Sequence, residues 1–371
     1  MTWAELHSES ERIAIEAQLA LRARNAGHAI ELYKRAAEIE RRALDQLDVS
    51  KTRTRGITAV SAVALWFKAR EYALAEQLAH SMLADPHIPE FAREELRNLV
   101  QAIWTESSMQ KAGVEFVPGQ VMVTVKGGEV VTGGAPLDLI VDKVQTIQSM
   151  FYRTIEFVNG VIHRRVGRPA KELQEACRPW LFQSAPGSYQ FSVAIQKPSQ
   201  TDFFRKDIEP ERIAQHFLEI VSASSSGNTT ELEKLVPDET YRSTFLKLTR
   251  NLAPTGKTFD RIELRWSGEM RPVALGVESR VNINQQLRKK SAVPATADEV
   301  HEELRGTLRA VHLDKDWLDV VIDGGVSMHV EGLQDTVDDV IGPMVNRSVV
   351  VQAIRVSQKK LKFVDIELAD S

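Results

Sequence analysis

The residues best suited to chemistry lie in one stretch, His163 to Ile195, which holds a group of arginines and the single cysteine of the chain. Arg164, Arg165 and Arg168 stand close together, and Lys171 follows them. Guanidinium groups at this density bind carboxylates or phosphates through paired hydrogen bonds. The stretch is therefore predicted to bind a polyanion, or to pair with acidic groups of the protein itself.

Gly167-Arg168-Pro169 resembles the core of an AT-hook, in which extended arginines enter the narrow minor groove of A·T-rich DNA. The arginine that usually precedes the glycine is replaced by Val166. The continuation AKELQEACRPWL predicts a helix with Pro169 in its first turn, so an ordered segment is expected. DNA contact and pairing with acidic neighbours both remain open.

Cys177 has no catalytic signature around it. Its spacing from Leu173, Trp180 and Leu181 predicts a small buried side chain on a helix. A nucleophilic cysteine needs a base and an oxyanion site, and the nearest histidine in sequence is His163. The motifs HExxH, CxxC, GxSxG and GxGxxG are absent from the sequence. We therefore predict no catalytic residue, no metal site and no cofactor.

Residues 251–258, NLAPTGKT, nearly match a phosphate-binding P-loop and end in Gly256-Lys257-Thr258. A P-loop needs a glycine where Asn251 stands, a strand before it and a helix after it. The sequence predicts the reverse, a helix before and the alternating strand FDRIELRW after. NTP hydrolysis is therefore not predicted.

Length and composition suggest a protein of several domains. The chain has 371 residues, 43% hydrophobic and 26% charged, which is typical of globular proteins with two or three cores. It has no apolar run of about 18 residues and no secretory signal at its N-terminus. A single cysteine suits a reducing compartment. These features predict a cytoplasmic protein that does not contact a membrane.

The net charge of -4 is unevenly distributed. Residues 1–112 contain 15 basic and 16 acidic residues, residues 113–297 contain 24 and 20, and residues 298–371 contain 8 and 15. An acidic C-terminal region repels phosphate backbones. A nucleic-acid site is therefore expected in the middle of the chain, if anywhere.

Apolar spacing predicts two helices within residues 8–48 and a second pair over 57–69 and 72–83. Between the pairs, Arg53 and Arg55 belong to the basic segment KTRTR. The segment is predicted to be a solvated loop whose cations follow a helix C-terminus. The alternative is that these cations receive a carboxylate or a phosphate.

These helices are similar to tetratricopeptide repeats. The small-large-small signature occurs twice, first in Ala17, Ala29, Tyr33 and Ala36 and again in Trp66, Tyr72, Ala75 and Asp85-Pro86. Ala29 and Ala75 are 46 residues apart, whereas the family repeats every ~34 residues. The resemblance covers about the first 110 residues and implies a concave protein-binding face. A plain helical bundle is the alternative.

The middle of the chain predicts an α+β domain. VEFVPGQVMVTV and EVVT, separated by Gly127-Gly128, predict a hairpin, and a helix follows over Leu137–Val158. Asp138 and Asp142 near the start of this helix are expected to interact with its N-terminus. The strand YQFSVAI, further helices, and a hairpin of FDRIELRW with RPVAL complete the prediction.

The last 70 residues predict five strands with one short helix before the fourth, an order similar to a small SH3- or OB-like barrel. Gly306 suits a bulge at a barrel corner. Because the region is acidic, a structural or protein-docking barrel is expected.

The predicted fold class is multidomain α+β. Its parts are a tetratricopeptide-like domain (1–112), a central α+β domain (113–252), a hairpin with a linker helix (253–297) and a small acidic barrel (298–371). The whole chain resembles no characterised family.

The predicted function is a non-catalytic protein-binding scaffold or regulatory subunit, the partner of an effector in a bacterial system. The first alternative is nucleic-acid binding, and the second is an unrecognised hydrolase. The candidate binding residues are Arg53, Arg55, Arg164, Arg165, Arg168 and Lys171.

Overall fold

The structure, a computed structural model, describes residues 1–113, 115–117, 120–131, 133–182, 189–198, 212–266, 272–291, 300–322, 324–333, 337–357 and 360–369. The chain divides into two compact units. The first comprises residues 1–115 and 181–192, and the second comprises residues 116–180 and 193–371. The predicted multidomain α+β fold class is confirmed, with helices first and a barrel last.

The first unit contains five helices that pack in chain order. They are α1 (Trp3–Arg22), α2 (Ala26–Asp45), α3 (Thr52–Lys68), α4 (Tyr72–Ala84) and α5 (Glu90–Lys111). Thr2 caps α1 by accepting a hydrogen bond from the Glu5 amide, while the Glu5 carboxylate accepts one from the Thr2 amide. Ala29 and Ala75 are fully buried, so neighbouring helices approach closely. The predicted helical pairs are confirmed.

The sequence predicts a loop for the basic segment between the two helical pairs. The structure instead shows a helix there. Helix α3 begins at Thr52, so Arg53 and Arg55 lie in its first turn, where the helix dipole disfavours cations. Asp85 offsets the charge of Arg55, with its Oδ2 atom 3.3 Å from the guanidinium Nε and Nη2 atoms. Gly56 allows α3 to pack against α5, because a Cβ there would lie 3.0 Å from the Ala92 Cβ.

A five-stranded sheet has the order β2-β3-β1-β4-β5. Its strands are β1 (Val121–Lys126), β2 (Pro179–Phe182), β3 (Tyr189–Ile195), β4 (Arg261–Trp266) and β5 (Val273–Leu275). The predicted β4–β5 hairpin is confirmed. The first predicted hairpin is wrong, because β1 pairs antiparallel with β4, while Val131 bridges to Gly134. Residues 114, 118, 119 and 132 of that pattern lie outside the described residues.

The helices of the second unit are α6 (Leu137–Val158), α7 (Lys171–Ala176), α8 (Ile213–Ser225), α9 (Thr229–Leu235), α10 (Glu239–Leu252) and α11 (Val277–Ser291). Helix α7 is shorter than predicted and ends before Cys177, and β2 begins at Pro179. A residue that precedes proline is disfavoured in helical conformation, which accounts for the early end. None of the described helices is both long and apolar enough to cross a bilayer.

The C-terminal residues form a closed five-stranded barrel, as predicted. Its strands are β6 (Val300–His312), β7 (Trp317–Ile322), β8 (Ser327–Glu331), β9 (Ser348–Ser357) and β10 (Lys360–Leu368), with the short helix α12 (Asp338–Ile341) before β9. They are arranged β10-β8-β7-β6-β9, and β8 and β10 pair in parallel. Buried aliphatic side chains such as Leu308, Leu318 and Val351 form its core.

Gly306 marks a close approach of backbones in the barrel. It lies opposite Ile322 of β7 and Val349 of β9, and a Cβ at this position would overlap the carbonyl oxygen of Val321. The register shift of β6 against β7 lies further along, between Leu308 and Ala310. Gly306 is therefore required by steric contact between β6 and β7.

We expect Gly306→Ala to lower the free energy of unfolding by about 1–3 kcal/mol, because the added methyl group forces β6 away from β7. The control is Gly27→Ala, since Gly27 lies in α2 with no atom near its ideal Cβ. That change should be neutral or stabilise the protein by up to about 1 kcal/mol. Urea unfolding measures both effects, and an equal effect of the two substitutions would contradict the steric argument.

Candidate functional site

Arg164, the first of the predicted site arginines, pairs with two carboxylates. Its Nε atom donates to the Oε1 atom of Glu156 at 2.7 Å, and its Nη2 atom donates to the Oδ2 atom of Asp339 at 2.8 Å. Glu156 lies on α6 and Asp339 on α12 of the barrel. Arg164 therefore links a central helix to the barrel within the second unit.

Arg165 and the following backbone continue this link. The guanidinium of Arg165 donates to the Asp316 carboxylate and, at 3.0 Å, to the carbonyl oxygen of Leu333. The Asp338 amide donates to the Arg165 carbonyl oxygen at 3.0 Å, and the Gly167 amide donates to the Asp338 carboxylate at 3.0 Å. The Asp316 carboxylate therefore has an arginine partner.

Arg153, which the sequence had not singled out, lies at the centre of the cluster. Its side chain is fully buried on α6. Its Nε atom donates to Asp339 at 2.6 Å, its Nη1 atom donates to the Arg164 carbonyl oxygen at 2.8 Å, and Glu156 lies 3.6 Å from Nη1. We call Arg153, Glu156, Arg164 and Asp339 the Arg153 cluster. Two cations and two anions compensate one another there, away from water.

The other candidate cations are more exposed. Arg168 is exposed, and Lys171 is exposed with only a long ion pair, 3.5 Å, to Glu175 one turn along α7. Surface pairs of this kind contribute little to stability. Arg53 and Arg55 belong to the first unit. Within the second unit, the structure places Arg164 and Arg165 against the barrel and leaves Arg168 and Lys171 on the surface.

A second charged cluster joins α6 to the barrel. Asp142 is buried, and its carboxylate accepts hydrogen bonds from Arg347 at 2.6 Å and from Lys143 at 3.0 Å. The predicted role of Asp142 at the helix N-terminus is therefore replaced by an ion pair. Lys143 also donates to the Asn251 carbonyl oxygen at 2.6 Å, and burial lowers the pKa of its amine.

A third cluster fixes the last barrel strand to α10. Arg250 is fully buried, and its guanidinium donates to the Asp365 carboxylate and, at 2.6 Å, to the carbonyl oxygen of Ile366. Burial acts to raise the pKa of Asp365, but the charge and hydrogen bonds of Arg250 outweigh it and lower that pKa. Arg280 adds an ion pair to Glu367 at 2.8 Å. Among the residues that the structure describes, three charged clusters therefore connect the barrel to the central part of the second unit.

Burial is the main influence on the ionisation of both Cys177 and His163. Cys177 is buried as predicted, and burial raises the pKa of its thiol to about 12, so the thiolate is scarce at neutral pH. His163 has its Nε2 atom 2.9 Å from the Thr244 hydroxyl, and its ring stacks edge-on against Tyr241. Burial, and next the charge of Arg153, lower the pKa of His163 to about 4.

The remaining motifs show no arrangement for phosphate or metal chemistry. The Gly256-Lys257-Thr258 loop follows α10 and precedes β4, which is the order that the sequence predicts and the reverse of a P-loop. Among the residues that the structure describes, no three His, Cys, Asp or Glu side chains are close enough together to hold a metal ion.

In the first unit, the outward face of α3 is unusually apolar. The positions that recur every three or four residues along this face are Arg53, Ile57, Val60, Ala64 and Lys68. Ile57 is 47% exposed, and Val60 and Ala64 are half-buried. A helix between two neighbours normally turns polar side chains to solvent. We call these five residues the α3 face.

Two exposed cations flank the α3 face, and an exposed aromatic side chain lies on the neighbouring helix α5. Exposed cations stand at its two ends, Arg53 and Lys68. Phe91, in the first turn of α5, is 45% exposed and precedes Ala92, which packs against Gly56 of α3. Aromatic and arginine side chains are enriched among the residues that dominate protein interfaces. Arg53 is thus the predicted candidate that the structure places beside exposed apolar side chains.

Sequence reasoning missed Ile57, Val60 and Ala64 as surface residues because α3 is apolar around most of its circumference. An all-round apolar helix is normally interpreted as fully buried. The position of Ile57 is the sequence signal that would have identified the α3 face. Ile57 lies on the side of the helix opposite the stripe formed by Ala59, Ala62, Val63 and Trp66.

Comparison with known proteins gives no match: no family model fits the sequence, and no curated protein or solved structure is similar to it. The geometry described above is therefore the basis for a functional proposal.

We expect Arg153→Met to destabilise the protein by about 3–5 kcal/mol, because Glu156 and Asp339 would each lose a buried partner. The matched control is Arg168→Met, at an exposed arginine, for which the change should stay within about 0.5 kcal/mol. Chemical denaturation followed by circular dichroism measures both. A loss below about 1 kcal/mol for Arg153→Met would show that the cluster is not desolvated.

The lowered pKa of His163 predicts a pH dependence of stability. Between pH 6.5, its ordinary pKa, and about pH 4, the unfolded chain binds a proton that the folded chain does not. The contribution of His163 to stability is therefore complete above pH 6.5 and is lost as the pH falls towards 4. His163→Gln should make this loss smaller by about 1–2 kcal/mol, allowing for partial exposure of the ring. Urea unfolding of both proteins at pH 7 and pH 4.5 is the measurement, and equal losses would contradict the prediction.

Proposed function

We propose that this chain is a non-catalytic protein-binding subunit that holds a segment of another protein along the α3 face. The observation that carries the proposal is the exposed side chain of Ile57, beside the half-buried Val60 and Ala64, on a helix that packs between α2, α4 and α5. An apolar strip with cations at both ends fits an apolar segment flanked by acidic residues. The partner class is therefore an amphipathic protein segment with acidic ends.

The resemblance to tetratricopeptide repeats supports the same proposal. In such repeats, the first helices of successive pairs line a concave binding face. Helices α1, α3 and α5 hold these positions in chain order, and Gly56 allows close contact between α3 and α5. In this proposal the chain works as a regulatory subunit or scaffold in the cytoplasm of a bacterium.

The ion pairs of the candidate arginines also support protein binding over nucleic-acid binding. Arg55, Arg164 and Arg165 each have a carboxylate partner within the fold. A phosphate backbone would have to displace those carboxylates. Such a displacement would give binding that falls steeply with salt, which separates the two functions experimentally.

The proposal predicts selective crosslinking at position 57. We would replace Ile57 with a photoreactive phenylalanine analogue and irradiate nuclease-treated native extract that contains the full chain. We expect a discrete protein adduct, because Ile57 is the most exposed apolar side chain of the α3 face. The matched control carries the same analogue at Leu74, an exposed aliphatic residue of α4 (41%, against 47% for Ile57).

Adding Arg53→Glu should reduce the adduct about tenfold, by reversing the charge that attracts the acidic end of the partner. Identical adducts from positions 57 and 74 would contradict a specific site. Adducts that form in untreated extract but not in nuclease-treated extract would instead favour a nucleic-acid partner.

A further inference from the structure

A pocket in the second unit lies between α8, α9 and the edge of the five-stranded sheet. Its volume is about 360 Å³, within the range of roughly 300–1,000 Å³ that small-molecule sites occupy. Helix α8 contributes Gln215, Leu218, Glu219 and Ser222, which share one helix face because they are three or four residues apart. The other lining residues are Glu231, Leu235, Trp266 and Val273.

One wall of the pocket is apolar and carries an unused hydrogen-bond donor. Leu218, Leu235 and Val273 line this wall together with the Trp266 indole. The indole nitrogen of Trp266 is buried and has no hydrogen-bond partner among the residues that the structure describes. The apolar wall therefore offers a bound molecule the indole ring and three aliphatic side chains.

The lining of the pocket also includes two carboxylates, Glu219 on α8 and Glu231 on α9, and the two differ. Glu219 accepts a hydrogen bond from the Gln215 amide at 2.7 Å and lies 3.4 Å from His216. Arg212 in turn donates to the Gln215 oxygen at 3.4 Å, so Gln215 lies between Arg212 and the Glu219 carboxylate. Glu231 is exposed, and in the described part of the chain no cation pairs with it. Glu231 is therefore the carboxylate available to a ligand.

From this geometry we propose that the pocket binds a small organic amine, with its ammonium group between Glu231 and the Trp266 ring and its apolar body against Leu218, Leu235 and Val273. A cation is attracted by the face of an indole as well as by a carboxylate, so one charged group satisfies both. This site is separate from the α3 face and does not depend on the proposed protein partner.

The test uses three probes of one shape and different charge: 2-phenylethylamine, 2-phenylethanol and phenylacetate. Isothermal titration calorimetry on the full chain should show the amine binding at least about tenfold more tightly than the alcohol, with no detectable binding of the anion. Equal binding of the amine and the alcohol would overturn the proposal. So would the absence of binding by the amine up to about 10 mM.

Two exposed glutamates of α9 provide matched variants, because Glu231 lines the pocket and Glu233 does not. Glu231→Gln should weaken binding of the amine about five- to tenfold and leave the alcohol unaffected. Glu233→Gln should change neither. Equal weakening by the two variants would show only a general electrostatic effect and would overturn the assignment of Glu231.

Discussion

The burial of Arg153 is the constraint on which the second unit depends. Removing a guanidinium from water costs several kcal/mol unless carboxylates and carbonyl oxygens replace its hydration. Those replacements come from three places in the sequence: Glu156 on the same helix, the backbone at Arg164, and Asp339 of the barrel. Because no single partner suffices, α6, the arginine stretch and α12 must assemble together. The charge pattern of the stretch thus serves the internal contact between helices and barrel.

Local patterns in the sequence predict where the helices and strands of this protein lie. They predict less well which of these elements pair or pack with one another. The barrel follows from five alternating segments, and the helices of the first unit follow from their apolar spacing. The error at β1 has a physical reason: alternation shows which side chains share a face, but it does not show which strand supplies the hydrogen bonds. The segment after Gly128 was nearer in sequence, yet the register of β1 from Val121 to Lys126 matches β4.

The same limit holds for the charged residues of the candidate site, because the sequence does not show which charges pair. The sequence identifies Arg164 and Arg165 by their density, but their carboxylates at Asp316 and Asp339 are more than 150 residues away. Only the folded chain brings them together. For α3 the difficulty is different, because a helix with apolar residues on every side gives the same pattern when fully buried and when one face is open. The exposure of Ile57 depends on tertiary structure, because it is set by which helices pack against α3.

The distribution of paired and unpaired charge also bears on the kind of partner that the chain can accept. Arg164 and Arg165 have acidic barrel residues within hydrogen-bonding distance, and the region 298–371 has 15 acidic residues against 8 basic ones. A phosphate approaching these arginines would be repelled by Asp316, Asp338 and Asp339 before it could displace those carboxylates. Arg53 has no such acidic competitor among its described hydrogen bonds and ion pairs, and it stands at the end of an apolar strip. A partner that contributes apolar side chains and a carboxylate gains from both features, whereas a polyanion gains only from the charge.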